Sequence, residues 1–474
     1  MNGVILRPSR VGSKIEIVLD IEQAAIKRAR LKLLNVRNFS EIFKGRYVVD
    51  APFVASRICG FCQTAHQVAA AQAVETAFGV EIPEAAVLIR FLLKAVSHLS
   101  YHLFHFYQQA LPDWIDIKSI LAHKGSTGEL FQLKERIRLL IESGESAPFS
   151  ADFPVDDETI ADPETVAGLL SHYYMALEVQ SWLAQMGALL GGRFPHNQSI
   201  VLGGITAVPG PDALYQFKAL LDKVSSFVKK VYASDVIALV TGPLLESGLR
   251  GDGVSYRNFL AGAGYSTSRN KGTFVSGFIS NGKLENIARF TPEKINMVEG
   301  EGGKKKNVVY ENLPVETGAL ARLLVLREKN LLKVLDGKGI GPGASARHLA
   351  RTLEAVLLAN KMYYWLDKLF EELSVPGCRV YSEFKIRGKR EAEAIIETPS
   401  GLAVHRLALD NSRIKEYLLV TGPHWLLSSG SNGRHSVIEK ALNGITVDAE
   451  KPEKMLKLLR IIHSFDLCAC SSVG

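Results

Sequence analysis

Four of the five cysteines in this chain lie in two clusters at its opposite ends. Arg57-Ile58-Cys59-Gly60-Phe61-Cys62, with His66 just beyond, stands near the start, and Asp466-Leu467-Cys468-Ala469-Cys470 stands close to the end. Thiolates are soft ligands, and pairs this close in sequence can grip one metal centre from two sides. Nearly the whole chain separates the pairs, so a large core has to form before four thiolates share one site. Structural zinc is the plain reading of four such cysteines. Zinc ribbons, however, keep both pairs inside one small subdomain. A site that needs an entire fold to close it suits a buried reactive centre better than a staple.

The 474 residues could make one large domain or roughly two to three ordinary ones. With 47% hydrophobic and 22% charged residues, the balance is that of a globular protein with a substantial core. The net charge of +7 is spread along the chain and leaves no footprint for nucleic acid. Five cysteines are too few for a disulfide scaffold and suit a reducing compartment or metal ligation. No run of about eighteen apolar residues is free of charge, so no transmembrane helix is expected. Met1-Asn2-Gly3-Val4-Ile5-Leu6-Arg7 lacks the basic region and apolar stretch of a signal peptide. The expected location is cytoplasmic, or membrane-associated through partner subunits.

The first fifty residues alternate apolar and polar positions, as in Lys14-Ile15-Glu16-Ile17-Val18-Leu19-Asp20, and predict a hairpin or small sheet. Helical periodicity follows from His66 to Phe78 and from Ala85 to Ala110, with Pro83 as a helix-starting residue. It returns over 163–190, 211–240, 316–335, 344–374 and 452–465, while 378–420 alternates again. Lys304-Lys305-Lys306 in a glycine-rich stretch reads as a solvated loop. No repeat and no disordered linker interrupts the pattern. The expected fold is mainly α with small β elements (α+β): a large helical core over 1–474 as a single domain. Residues 1–55 and 378–420 are its β-rich parts, and the two cysteine pairs meet inside it.

Arg57-Ile58-Cys59-Gly60-Phe61-Cys62-Gln63-Thr64-Ala65-His66 resembles the N-terminal signature of nickel–iron hydrogenase large subunits. Further stretches resemble that family in its order: Gly45-Arg46, Asp50-Ala51-Pro52, His102-Leu103-Phe104-His105-Phe106-Tyr107 and Gly192-Arg193-Phe194-Pro195-His196-Asn197-Gln198. Val315-Glu316-Thr317-Gly318-Ala319-Leu320-Ala321-Arg322 and Asp466-Leu467-Cys468 complete the set. The resemblance implies a nickel–iron centre held by Cys59, Cys62, Cys468 and Cys470, with carbon monoxide and cyanide on the iron. Cys59 and Cys468 would be terminal nickel ligands and Cys62 a bridging one. The implied activity is heterolytic cleavage of hydrogen, with Cys468 at the catalytic position. His66 and Arg57 would stand behind the ligands, His66 within hydrogen-bond reach of the bridging sulfur. The chain has no cysteines left for iron–sulfur clusters, so an iron–sulfur small subunit is the implied electron-transfer partner, in a complex open to further redox or membrane subunits.

Several positions depart from the family pattern. The family's Cys-x-x-Cys ending is followed by a histidine; read without gaps, Ser471 stands at the second cysteine and Gly474 at the histidine. Cys470 falls one place early, so either it or Ser471 completes the site. Ser40, nineteen positions before Cys59, replaces a glutamate that in the family helps bind a magnesium-type ion, and no such ion is expected here unless Glu41 substitutes. A proton-relaying glutamate of the N-terminal motif is lost in Arg10-Val11-Gly12-Ser13, and an arginine held over the metals is replaced by Ser400. The reading that follows is a divergent hydrogenase; its alternative is a hydrogenase-derived subunit without hydrogen turnover, serving a structural or electron-transfer role in a larger redox complex. His98, His102 and His105 share one helical face and are expected to pack and hydrogen-bond rather than bind metal. Cys378 is expected to be an ordinary buried or half-buried thiol.

Overall fold

The computed structural model describes residues 4–12, 14–34, 37–125, 127–144, 149, 151–242, 252–266, 272–299, 306–430, 434–447 and 455–467. Cys468, Cys470, Ser471, Gly474, Ser13, Lys304 and Lys305 lie outside them. The alternating N-terminal segment forms an antiparallel sheet of β1 (Val4–Leu6), β2 (Ile15–Glu22) and β3 (Ala25–Leu33), with Ile15, Ile17 and Leu19 turned inward. Two short helices, α1 (Phe39–Phe43) and α2 (Ala51–Ala55), then carry the chain to the first cysteine pair and α3 (Gln63–Ala77).

Helix α4 (Glu84–Phe104) begins one residue after Pro83, which holds the extended N-cap position, and runs on as a π-helical stretch, His105–Ala110. It is buried on nearly every side, including its ionisable Arg90, Lys94, His98 and His102. The span Glu84–Asp113 is long and apolar enough to cross a membrane by length and composition, yet 83% of its most apolar window is buried inside the protein. Around it pack α3, α6 (Pro163–Gly191) and the long α11 (Ala344–Leu373), with α5 (Gly128–Glu142) outside α6. Helix α6 starts at Asp162, whose carboxylate accepts the amide of Thr165, and stops at Gly192 in the left-handed region.

The helical stretch expected over 211–240 is α7 (Pro211–Phe227) and α8 (Ala233–Thr241), joined by a π-helical turn. The stretch expected over 316–335 divides. Glu316 pairs in β fashion with Phe259, Gly318 breaks the backbone at φ 112°, and helix begins only at α9 (Ala319–Val325), followed by α10 (Lys329–Lys338). Small sheets sit between helices: β4 (Ile200–Val201) with β5 (Gly204–Ile205), β6 (Phe259–Ala261) with β7 (Gly277–Ile279) and β8 (Ile287–Ala288), and β9 (Ile295–Glu299) with β10 (Lys306–Tyr310). Expected over 378–420, the β segment is the antiparallel sheet β11 (Lys389–Thr398), β12 (Gly401–Asp410) and β13 (Arg413–Val420), laid against α3. Three short helices close the chain: α12 (Gly422–Leu427), α13 (Val437–Leu442) and α14 (Leu456–Ser464). One hydrophobic cluster joins side chains from Leu6 to Leu467, so both ends of the described chain enter the same core.

Candidate metal centre

Cys59 and Cys62 sit in the tight turn between α2 and α3, and both are buried. The Cys59 sulfur accepts the backbone N–H groups of Phe61 at 3.4 Å and Cys62 at 3.5 Å. Cys62 is the N-cap of α3, where exposed amides favour negative charge. One helical turn on, His66 is buried, and its Nδ1 is 2.9 Å from Nε2 of His405, whose Nδ1 lies 2.7 Å from the Tyr417 hydroxyl. This chain fixes the ring. Burial pushes the His66 pKa down to about 4, opposed by the charge of Cys59.

The Cys59–Cys62 turn is fastened to α4. Ser97 Oγ donates to the Phe61 carbonyl at 2.8 Å, and the Phe61 ring packs on Tyr101 and Phe104. The C-terminal segment reaches the next turn of the same helix. After α14, Asp466 accepts Arg351 Nη2 at 2.8 Å and lies 3.5 Å from His105 Nε2, while Arg351 also donates to the Ser464 carbonyl at 2.6 Å. Arg347 stacks on Phe465, with its guanidinium carbon 3.6 Å from the ring centre. The second cysteine pair follows directly on Leu467 and is outside the described residues.

A third element closes in at Ser400. A Cβ on Gly401 would stand 2.2 Å from Thr317 Oγ1, and one on Gly318 would stand 3.8 Å from the Ser400 carbonyl and 3.9 Å from Asp466 Oδ2. The Thr317-Gly318 and Ser400-Gly401 turns therefore cross in contact beside Asp466, which only glycine permits at Gly401. Buried polar atoms collect here without a hydrogen-bond partner among the described residues: Thr317 Oγ1, Asp466 Oδ1, Arg351 Nη1, His105 Nδ1 and His348 Nε2. Buried polar groups are ordinarily paired, so such a group of orphans marks a place where something further is held. Two buried sulfurs, that of Cys59 accepting two amides and that of Cys62 at a helix N-terminus, form a donor pair that fits a thiolate-bound metal.

A family model for nickel-dependent hydrogenase matches residues 37–301 and 305–473. The chain belongs to the nickel-dependent hydrogenase family. It is 25% identical to the Hydrogenase-2 large chain of Escherichia coli (strain K12), over 98% of this chain and 95% of that one. Identity to the uptake hydrogenase large subunit of Cupriavidus necator is 30%, over 92% and 89% of the two chains. Among solved structures, the reduced Ni-Fe-Se hydrogenase from D. vulgaris Hildenborough superposes with a TM-score of 0.83 at 25% identity, covering 99% of each chain.

Other positions singled out in this hydrogenase sequence fall as follows. Arg57 is exposed beside the cysteine turn, and its charge helps hold the half-buried His196 below its ordinary pKa, after desolvation. Ser40 lies in α1 next to the exposed Glu41. Ser400 is buried, 3.2 Å from Thr398 Oγ1. Arg10 pairs with buried Asp113 at 2.5 Å, and Asp113 also binds His463 of α14, so the altered N-terminal motif anchors the helix that leads to the C-terminal cysteines. Cys378 is half-buried and donates to the Arg379 carbonyl at 3.7 Å.

His98 and His102 lie with Glu354 in a group compact enough to hold a metal, their ligand atoms within 4.8 Å of one another. Arg322, however, grips Glu354 with two hydrogen bonds of 2.5 and 2.7 Å and places Nη2 3.4 Å from His98 Nε2. A cation there would face a guanidinium at contact distance. The group is a hydrogen-bonded ion cluster, as expected of these histidines. Glu354, Glu397, His405, Arg347 and Arg351 escape sequence reading because each lies far along the chain from its partner. For Arg347, Arg351 and Glu354, an ionic residue on the buried face of α11 was the one available signal.

Proposed function

We propose that this chain is the catalytic large subunit of a nickel–iron hydrogenase, with Cys59, Cys62, Cys468 and Cys470 holding a nickel–iron centre whose iron carries carbon monoxide and cyanide. The observation that carries the reading is the convergence on adjacent turns of α4: the Cys59–Cys62 turn at Ser97 and Tyr101, and Asp466 at His105. The centre, when bound, supplies reversible heterolytic cleavage of hydrogen. The chain's own contribution is structural and electrostatic. Amides of Phe61 and Cys62 favour the Cys59 thiolate, the His405–Tyr417 pair fixes His66, and the Arg351–Asp466 pair fixes the backbone that delivers Cys468. Cys468 is assigned the proton-accepting thiolate, and residues 1–474 act as one domain, a reading supported by the core shared by both ends.

With Ser40 and Gly474 in place of two ligands, no magnesium-type ion is assigned. Electrons leave to an iron–sulfur small subunit. Ile42, Tyr47, Val49 and Phe53, all exposed large side chains in the stretch that leads to Cys59, offer it an apolar face beside Arg57. The location of the complex follows from that partner.

Purified native protein is expected to contain nickel and iron in equal amounts and to show carbon monoxide and cyanide stretches in the infrared. Cys470→Ser is expected to abolish nickel binding, since three thiolates would remain. Retention of both metals in that variant would move the fourth position to Ser471 or another group. Zinc alone, without infrared bands, would remove the catalytic reading in favour of a hydrogenase-derived subunit that does not turn over hydrogen.

A further inference from the structure

The β11–β13 sheet turns a mostly apolar face to α3, and one polar pair stands on it. His405 of β12 and Tyr417 of β13 are both buried and form a diagonal pair on that face, since Leu407 is the residue opposite Tyr417. Tyr417 belongs to the same hydrophobic cluster as Cys59 and Cys62, and its ring stacks on Phe43 of α1 with centroids 3.8 Å apart. From there a single file of hydrogen bonds leads back to the cysteine turn. The Tyr417 hydroxyl meets His405 Nδ1 at 2.7 Å, and His405 Nε2 meets His66 Nδ1 at 2.9 Å. Nε2 of His66 is the last ring atom of the file.

The direction of these bonds follows from counting protons. Both imidazoles are buried, and neither has a carboxylate hydrogen-bonded to it among the described residues, so each is neutral and carries one proton. Burial holds the His405 pKa well below its ordinary value, and His66 adds to the lowering. With one proton on His405, the file runs in one of two directions. In the first, the phenol donates to His405 Nδ1, His405 Nε2–H donates to His66 Nδ1, and His66 carries its proton on Nε2. In the second, every bond is reversed and His66 Nε2 is bare.

The two ends of the file decide between them. Reversal leaves the buried Tyr417 O–H without an acceptor, because the hydroxyl has no other hydrogen bond among the described residues. A buried donor left unmade costs more than an idle lone pair on a phenol oxygen, which the first direction leaves. Reversal also strips the proton from the Nε2 edge of a ring that lies one helical turn past Cys62 and feels the charge of Cys59. Beside a thiolate a donor is favoured over a lone pair.

We propose that His405, held as an Nε2–H donor by the Tyr417 hydroxyl, sets the tautomer of His66, with Nδ1 bare and the proton on Nε2. His405 and Tyr417 are positioning residues: they act on the cysteine sulfurs only through His66. The tautomer follows from the file alone, while its use, a neutral donor offered to the thiolates that hold the metals, rests on the hydrogenase reading. A ring fixed this way withdraws electron density from a sulfur without placing a charge beside it.

The first test is nitrogen-15 NMR of the histidine-labelled wild-type holoenzyme, with His66 and His405 assigned by the peaks lost in His66→Gln and His405→Gln. Two-bond couplings are expected to place the proton of both rings on Nε2; a proton on Nδ1 of either ring would overturn the proposal. Tyr417→Phe is expected to move the His405 Nδ1 resonance downfield, as a bare nitrogen does on losing its donor, and an unmoved resonance would remove Tyr417 from the file. The second test compares His405→Gln, whose amide still donates to His66, with His405→Met, which fills the space without a donor. His405→Gln is expected to keep the carbon monoxide and cyanide bands of the wild type. His405→Met should shift them and slow hydrogen oxidation roughly tenfold or more. Equal shifts in the two variants, or none in His405→Met, would overturn the positioning role. Should a variant fail to load its metals, the wild-type couplings still decide the direction of the file. Wild-type protein without infrared bands would refute the hydrogenase reading itself, and the same couplings would still support or overturn the tautomer.

Discussion

Two buried polar clusters flank the α4 histidines, and they differ in one respect. Around Arg322 the charged atoms find close partners: Glu354 bidentate, Glu397 at 2.6 Å, and two backbone carbonyls. Around Asp466, a few residues along the same helix, five polar atoms from Thr317, Asp466, Arg351, His105 and His348 have no hydrogen bond among the described residues. Both clusters are equally deep. The satisfied one is finished as it stands and holds the Ser400 turn, α9 and α11 together. The unsatisfied one leaves room for further partners beside Leu467, where the described residues end.

The largest test of this contrast is Arg322→Leu. It leaves Glu354 and Glu397 in the core without the guanidinium that binds both, and a loss of about 3–5 kcal/mol in urea unfolding is expected. A loss under about 1 kcal/mol would show that the Arg322 cluster is not the finished unit described here.

Nickel removal, or Cys59→Ser, sharpens the contrast from the other side. Amide hydrogen exchange is expected to rise roughly tenfold or more over 455–467 and the start of α3, and to stay unchanged in α9. Equal changes in both places would merge the two clusters into one.

A smaller effect is set by pH. Burial lowers the His98 pKa to about 3, with Glu354 opposing the shift, against an ordinary value of 6.5. Between these values the unfolded chain binds the proton and the folded one does not, so stability falls as pH drops below 6.5 and levels off only near the folded value. The His98 share of that fall is expected to be roughly 2 kcal/mol between pH 7 and 5. His98→Gln should reduce the slope of unfolding midpoint against pH.

The smallest stability effect belongs to the surface. Val49→Ser with Phe53→Ser should change stability by less than about 0.5 kcal/mol, because both side chains are already exposed. Co-purification of the small subunit should nonetheless be lost. Full retention of the partner would move the docking face elsewhere.

Much of the fold was legible in advance where one element carried its own signal. Asp162-Pro163 starts α6 and Gly192 ends it, and the alternation of Ile15, Ile17 and Leu19 gives β2 its buried face. Helix α5 went unread although Leu133 and Ile137 mark its inner face, because only these two of its side chains are buried while others such as Leu139 stay exposed and blur the periodicity. The stretch 316–335 misled, since Glu316 and Thr317 share helical periodicity with α9 but are held extended by pairing with β6 and by Gly318.

The sequence by itself determined the cysteine turn with His66 one helical turn beyond it, the helical class and the family resemblance, because each depends on residues close together or on a run of ordered motifs. Tertiary structure alone decided what surrounds them. Glu354 meets Arg322, Asp466 meets Arg351, His405 meets His66 and Lys94 meets Tyr265 across separations from 32 to 339 residues, among them 115 for Asp466 and Arg351. Hydrophobic patterning makes such helices and strands pack, but it says nothing about which buried charge will face which. That is settled only when the packed core excludes water and each charged group has to take the partner within reach.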